Sequence, residues 1–443
     1  MGSLIFEGGV FVNRKLFLAM LIVTMLASFS LAVKIDVWAL GFTNEMTKIA
    51  RDLTALEFTA KTGIDVNITP LAWGDGNKVM LALIANDPPD IISSGVGGIV
   101  EYGIRGSILD LKQAFGKEFE DLEKELFPAV TEPLHWLGTR FGIPQNISLM
   151  NAAYRTDILK DMGMEIPNLW SDVYKMMPKL KAKNIEMGFS YGNVNYDALW
   201  GAYSLITQHG GNFFKDDGFT SAMDTPESIR GFKEYIELFT KHKMPTSSPG
   251  ITALRNGEWA MMIDGYWMYT NIINSAPELK GKWEPGLIPG ITRPNGVTNH
   301  GTFSGATTFA IPKSAKHQKE AWEFLKWFCS TPVQKKFVDE IIVKIPGSLM
   351  VPTSRDALYN LGGMPQNVVR TIHAQLEESV AVPYAPTAGV LYRFVDFAVQ
   401  ACVQSGKDPE AEARKAAAEM NKEMNKRKVE YKRFLDKLQR DKK

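Results

Sequence analysis

The sequence predicts an α/β protein of more than one domain, and three observations carry that prediction. Short β-branched and apolar runs alternate with amphipathic helical stretches from residue 34 onward, a pattern that builds βαβ crossovers and a mostly parallel sheet. A length of 443 residues exceeds what one core organises and fits two or three domains. The composition is that of a folded globular chain, 45% hydrophobic and 22% charged with ten Trp, and it shows neither repeats nor low-complexity tracts.

An export address precedes the first strand. Asn13, Arg14 and Lys15 form a basic start, Leu16 to Leu26 an apolar stretch, and Ser30-Leu31-Ala32 supplies small residues at the −3 and −1 positions of a cleavage site. The apolar stretch is too short for a committed membrane span. Residues 1–32 therefore read as a signal peptide cleaved near Ala32–Val33. Residues 1–11 precede an otherwise complete signal, which points to initiation at Val12, with Glu7-Gly8-Gly9 read from a purine-rich ribosome-binding site. Neither cysteine follows the apolar stretch, so no lipid anchor is expected and the mature chain should be free in a periplasm.

Lys34 to Leu40 reads as a strand, and Thr43 to Thr62 as a helix capped by Thr43 or Asn44 and ended by Gly63. Asp65 to Leu71 is a second strand, Asn77 to Asn86 a second helix, and Asp90 to Ser94 a third strand closed by a turn over Gly95 to Gly98. Leu134 to Leu149 is hydrophobic and aromatic, and its Gly142-Ile143-Pro144 looks like a passage between units. Leu159 to Asn184 reads as helical, punctuated by Pro167 and Pro178. Met187 to Ser190 is a strand, and Ala198 to Gln208 and Thr225 to Lys241 are helices. Trp259 to Ile263 is a buried strand broken by Asp264-Gly265, ahead of another helix. Pro285 to Pro294 is a loop, Thr307 to Ile311 a strand, Lys316 to Ser330 a helix, and Ile345 to Arg355 an extended passage. A long helix runs from Pro409 to about Leu438; from Lys422 onward it carries ten basic and four acidic residues and reads as a solvated face. Cys329 and Cys402, both in apolar helical settings, read as two buried thiols.

The chemistry is defined first by what is missing. Fifty basic residues against 49 acidic give a net charge of +1, which argues against nucleic acid as a partner. The six His are scattered, and no metal, nucleophile-elbow or phosphate-loop motif occurs, so neither a metal nor a cofactor is expected. What does occur is a set of aromatic and amide residues where elements end: Phe42, Trp73, Gln145, Asn146, Trp200, Trp267 and Phe303. Open α/β sheets bind ligands beyond the carboxyl ends of their strands. Flat aromatics with fixed donors and acceptors suit a molecule with apolar C–H faces and a rim of hydroxyls, as a sugar has. Trp267 is the strongest candidate, with Asp264 and Tyr266 beside it for specificity, while Trp259, Met261 and Met262 read as core.

Several ordered pieces carry a resemblance. They are Thr62-Gly63-Ile64-Asp65-Val66, Pro88-Pro89-Asp90-Ile91-Ile92, and Gly142-Ile143-Pro144 ahead of Tyr154-Arg155-Thr156-Asp157. Further along come Ile166-Pro167-Asn168-Leu169-Trp170, Asn256 to Met262 with Gly265-Tyr266-Trp267, and Phe309-Ala310-Ile311-Pro312-Lys313 leading into Ala321 to Leu325. In this order the chain resembles the family 1 extracellular solute-binding proteins of ABC importers, the group that includes maltose-binding protein. The resemblance implies a two-lobed periplasmic binding protein fold of type II, each lobe a mixed sheet flanked by helices, with the ligand in the cleft between them. Residues 33–145 with 305–346 would form one lobe, and 146–304 with 347–443 the other. Hinge closure on a ligand is a known property of such proteins.

By the same resemblance, Trp267 matches the family's sugar-stacking Trp and Trp200 an aromatic position of the second lobe. Phe42 and Gly97 fall where the maltose binder has acidic residues, and Tyr392 or Arg393 where it has a stacking Trp. A neutral oligosaccharide is then favoured over maltose, with an acidic sugar or a phosphate ester as the alternative if Arg355 or Arg393 faces the cleft. The expected protein is a monomeric, non-enzymatic receptor delivering a carbohydrate to a membrane ABC permease. The competing readings are a secreted carbohydrate-active enzyme and a binder of another solute such as a polyamine.

Overall fold

Strand β1 (Lys34–Leu40) turns Ile35, Val37 and Ala39 inward and pairs in parallel with β2 (Asp65–Leu71), from Lys34↔Asp65 to Leu40↔Leu71. The crossover is α1 (Asn44–Leu53), capped by the Thr43 hydroxyl, which accepts from the Met46 amide at 3.2 Å. It continues through a π-helical turn to Thr62, where Gly63 stops it in the left-handed region at φ 73°. The computed structural model describes residues 33–136, 138–189, 191, 197–247, 250–381 and 388–441. The signal peptide read in residues 1–32 lies outside them.

Helix α2 (Gly76–Ile84) and β3 (Ile92–Gly95) follow, and Ile91 bridges Val37 in parallel to extend the layer. The turn expected over Gly95–Gly98 is instead the start of α3 (Val96–Ile104). Gly95 is its N-cap, and Val96, Ile99, Val100 and Ile104 bury one stripe, which outweighs the weak helix propensity of the glycines. After β4 (Ile143–Pro144) the chain crosses into β5 (Ser148–Tyr154), a strand not anticipated from the sequence. From Leu149 to Tyr154 β5 is buried at every position and contains no β-branched residue, so it shows no alternation to read.

The second sheet is completed by α4 (Trp170–Lys181), β6 (Glu186–Phe189), α5 (Tyr203–Gln208), α6 (Pro226–Thr240), β7 (Trp259–Gly265), α7 (Trp267–Ser275), β8 (Glu284–Gly286) and β9 (Phe303–Gly305). The helical stretch expected from Leu159 to Asn184 is two helices, Thr156–Asp161 and α4, separated around Pro167. Asp264 and Gly265 do not break β7, because Asn151 and Met150 of β5 pair with them. Part of the expected Pro285–Pro294 loop is also paired: Pro285 lies on an edge strand against Ala153, and Ile291–Thr292 forms a hairpin with Thr298–Asn299.

The chain recrosses from β9 to β10 (Thr307–Ala310) and continues through α8 (Gln318–Phe328) and α9 (Thr331–Lys344). A third passage leads to α10 (Gln366–Glu378), β11 (Val380–Ala381), α11 (Ala388–Ser405) and α12 (Pro409–Asp441). In the first lobe β10 runs antiparallel to both β3 and β4. In the second, the order is β11-β9-β5-β7-β6 with β8 also on β5. The sheets are therefore mixed, not mostly parallel, because strands entering from the other lobe arrive antiparallel to their neighbours.

Two apolar cores result. Ile35, Val37, Ile92, Ile99, Phe309 and Phe324 belong to one, and Trp170, Phe189, Tyr203, Phe232, Tyr235 and Met261 to the other. Cys329 lies in the first and Cys402 in the second, both as free thiols that burial pushes up to about 12.

The passages meet in a hydrogen-bonded seam. The Gln145 amide donates to the Thr307 carbonyl at 2.7 Å and the Ile147 amide to that of Val351 at 3.0 Å. Asn146 Oδ1 accepts from both the amide and the hydroxyl of Thr307. Asn146→Ala would leave that amide without its partner and is expected to cost about 1–3 kcal/mol, read as a lower urea midpoint. Asn146→Asp, which keeps the acceptor oxygen, should recover most of the loss; equal loss in both variants would assign the effect to something other than this bond.

Candidate functional site

Strand β7 ends in Gly265, and the next residue but one, Trp267, folds back so that its indole lies across that glycine. A Cβ at Gly265 would collide with the ring. Only a glycine permits this close approach of ring to backbone. Trp267 remains 37% exposed, so part of the indole is open to solvent. Trp200, at the start of the helical segment leading into α5, meets it edge-on at 5.4 Å between centroids, and Phe303 of β9 packs 4.7 Å from Trp200. Tyr266 closes the other side at 5.6 Å. Four of the residues singled out from the sequence thus form one aromatic wall, drawn from the β7–α7 junction, β9 and the α5 segment at one end of the second sheet.

The first lobe offers one open ring. Trp73 is 65% exposed and lies over Gly41, where a Cβ would come within 3.1 Å of the indole. Phe42, by contrast, is a packing residue: it is buried against Phe337 at 5.5 Å. The two amides are engaged within the protein. The Gln145 side chain accepts from Ser93 Oγ at 3.1 Å and donates to the Leu40 carbonyl at 3.5 Å, and Asn146 is held by Thr307.

The remaining candidates separate. Tyr392 is buried against Phe213 at 5.6 Å, whereas Arg393, the next residue of α11, is exposed over Phe394 at 4.9 Å. Arg355 lies over Phe127 at 5.8 Å and donates to the Lys124 carbonyl at 3.3 Å, held by groups of the first lobe rather than by the aromatic wall. Trp259, Met261 and Met262 are core, as read. Two residues escaped the sequence reading. Phe397, one turn beyond Arg393, is 57% exposed. Asn151 is fully buried directly opposite Asp264, and its amide has no hydrogen-bond partner within the protein. A lone polar residue inside the apolar run Leu149–Tyr154 was the available signal.

Asp264 is the chemically unusual group. Burial pushes its carboxyl up to about 6, opposed by the hydrogen bond that Oδ1 accepts from the Gly265 amide at 2.7 Å. Tyr266 is also buried, which pushes its phenol up to about 12. Among the described residues, no group of three or more His, Cys, Asp or Glu is placed to hold a metal ion, and no helix is long and apolar enough to cross a membrane.

The shift at Asp264 has a definite sign. Between the usual carboxylate value of 3.8 and about 6, the folded state holds this proton and the unfolded state does not. Stability therefore falls as pH rises through that window, by about 3 kcal/mol in full. Asp264→Asn is expected to remove this component and to be the more stable form at pH 7. Urea midpoints at pH 4.5 and pH 7 measure it, and an unchanged pH dependence in the variant would count against the assignment.

Comparison with known proteins agrees with this architecture. The family described as bacterial extracellular solute-binding protein matches residues 43–335. The maltotriose-binding protein of Pyrococcus abyssi is 21% identical over 345 residues, 76% of this chain and 70% of that protein. The diacetylchitobiose binding protein of Streptomyces coelicolor is 24% identical over 283 residues, covering 61% of this chain and 64% of the relative. The sugar-binding protein MalE of Xanthomonas citri superposes with a TM-score of 0.76 at 18% identity, over 90% of this chain and 99% of the other. With that two-lobed architecture and a family match over most of its length, the chain belongs to the bacterial extracellular solute-binding proteins.

Proposed function

We propose that this protein is a non-enzymatic receptor that captures a carbohydrate, an oligosaccharide, between its lobes and delivers it to a membrane ABC permease. The observation that carries the reading is the aromatic wall of Trp267, Trp200 and Phe303, with the Trp267 indole part exposed near the partly exposed Asp264. Trp73 is the corresponding open ring of the first lobe. The names of the relatives, maltotriose-binding and diacetylchitobiose binding, favour a neutral oligosaccharide. The lobes are taken as residues 33–145 with 305–346 and residues 146–304 with 347–443. Residues 1–32 are taken as the cleaved signal, and the mature protein works as a monomer in the periplasm. Asp264 and Tyr266 flank the platform, and the exposed Arg393 is the candidate cation should the solute be acidic.

Stacking one sugar face on an indole removes on the order of 100 Å² from water, roughly 2.5 kcal/mol. Two platforms with satisfied hydrogen bonds bring micromolar affinity within reach. Calorimetric titration with maltotriose and diacetylchitobiose, preceded by a thermal-shift screen of oligosaccharides, tests the reading. Trp267→Ala is expected to weaken the best ligand about 70-fold, the equivalent of that stacking term. Because the indole is one-third exposed, the unliganded protein should lose less than the roughly 3–5 kcal/mol of a core aromatic truncation. A full core-sized loss with unchanged affinity would make Trp267 a structural residue. Sugar hydrolysis by the purified protein would replace the receptor by an enzyme. Trp73→Ala should weaken binding without affecting unliganded stability.

A further inference from the structure

Helix α12 belongs to the second lobe but packs its C-terminal part against the first. Ala413, Ala416, Ala417, Met420 and Met424 are buried in the second core, and Asn421 Oδ1 accepts from the Ser221 amide at 2.8 Å, which fixes the helix to that lobe. Two turns further on, Tyr431 is only 2% exposed and joins the larger core, which residues of both lobes share. Its ring lies under the guanidinium of Arg105, 5.6 Å from the centroid, at the end of α3 in the first lobe. Arg105 is held in turn by Glu101 at 2.8 Å and approaches Glu430 of α12 at 3.9 Å. The same helix braces a second contact. Lys428 lies over Phe219, 5.3 Å from its centroid, and Phe219 meets Trp136 edge-on at 5.8 Å. Trp136 stands in the short hairpin that leads toward β4.

An α-helix rises about 1.5 Å per residue, so the span from Met424 to Tyr431 is roughly 10 Å of stiff rod with each end seated in a different lobe. A rotation of one lobe against the other has to pull Tyr431 off Arg105 or bend the helix. We propose that α12 is an inter-lobe strap, and that docking of Tyr431 on Arg105 of α3 holds the two lobes at a set angle.

The ring, not the hydroxyl, makes this contact, since the hydroxyl is buried without a hydrogen-bond partner. Tyr431→Phe should therefore behave as the parent protein, whereas Tyr431→Ala and Arg105→Ala should release the strap. The readout is the inter-lobe distance without ligand, so the outcome does not depend on what the cleft binds. Spin labels on Lys61→Cys and Lys183→Cys, exposed positions on the two lobes, react selectively because both native cysteines are buried. Pulsed electron resonance on the full chain is expected to show one narrow distance population for the parent and for Tyr431→Phe. The two alanine variants should give a distribution at least twice as broad or displaced by several ångströms, at unchanged helix content by circular dichroism. Alanine variants that keep the parent distribution would overturn the proposal, as would a Tyr431→Phe variant that loosens as much as Tyr431→Ala. Loss of helix content in Tyr431→Ala leaves Arg105→Ala, outside α12, to decide by the same measurement.

Discussion

The two lobes depend on how the crossing backbone is satisfied. Chain passing between two sheets leaves the ladders of both, and its polar groups are buried, so each needs a partner or costs stability. Here the passages supply partners for one another: Gln145 and Ile147 donate to Thr307 and Val351 of the returning strands. Gln334 extends the seam, its Oε1 accepting from the amides of Thr353 and Ser354, while the Thr353 hydroxyl donates to the Pro144 carbonyl at 3.2 Å. The seam also explains why Gln145 and Asn146, which look like ligand readers in the sequence, are occupied by the fold.

The second sheet converts that constraint into an aromatic cluster. β5 and β9 enter it directly from the seam, β7 pairs along β5, and the ends of β7 and β9 carry Trp267 and Phe303 within reach of Trp200. Gly265 supplies the close approach that seats the Trp267 indole on the strand end. The same geometry sets the largely covered Asp264 opposite Asn151 and makes its charge costly near neutral pH.

Much of this was legible in the chain. Residues 34–40, 65–71 and 307–310 declare themselves as strands through β-branched, bounded runs, and α1, α6 and α8 through apolar spacing, because local periodicity reflects burial on one face. Trp267 was recognisable from the Gly265-Tyr266-Trp267 order after a buried strand. β5 was not, since SLMNAAY is buried on both faces and carries no alternation. The start of α3 was hidden by three glycines whose propensity is overruled by the stripe from Val96 to Ile104.

By itself, the sequence determined the α/β class, the family and the list of aromatic residues at element ends, because those properties are written in composition, period and order. Only the tertiary structure decided which members of that list come together. Phe42 and Tyr392 went into cores, Gln145 and Asn146 into the seam, and Arg355 onto Phe127, while Trp200, Tyr266, Trp267 and Phe303 came together. Contact between residues a hundred positions apart depends on how strands from different passages are ordered in a sheet, and no local pattern encodes that order. The same holds for α12, a plain charged helix in sequence, which the packed structure seats in both lobes through Met424 and Tyr431.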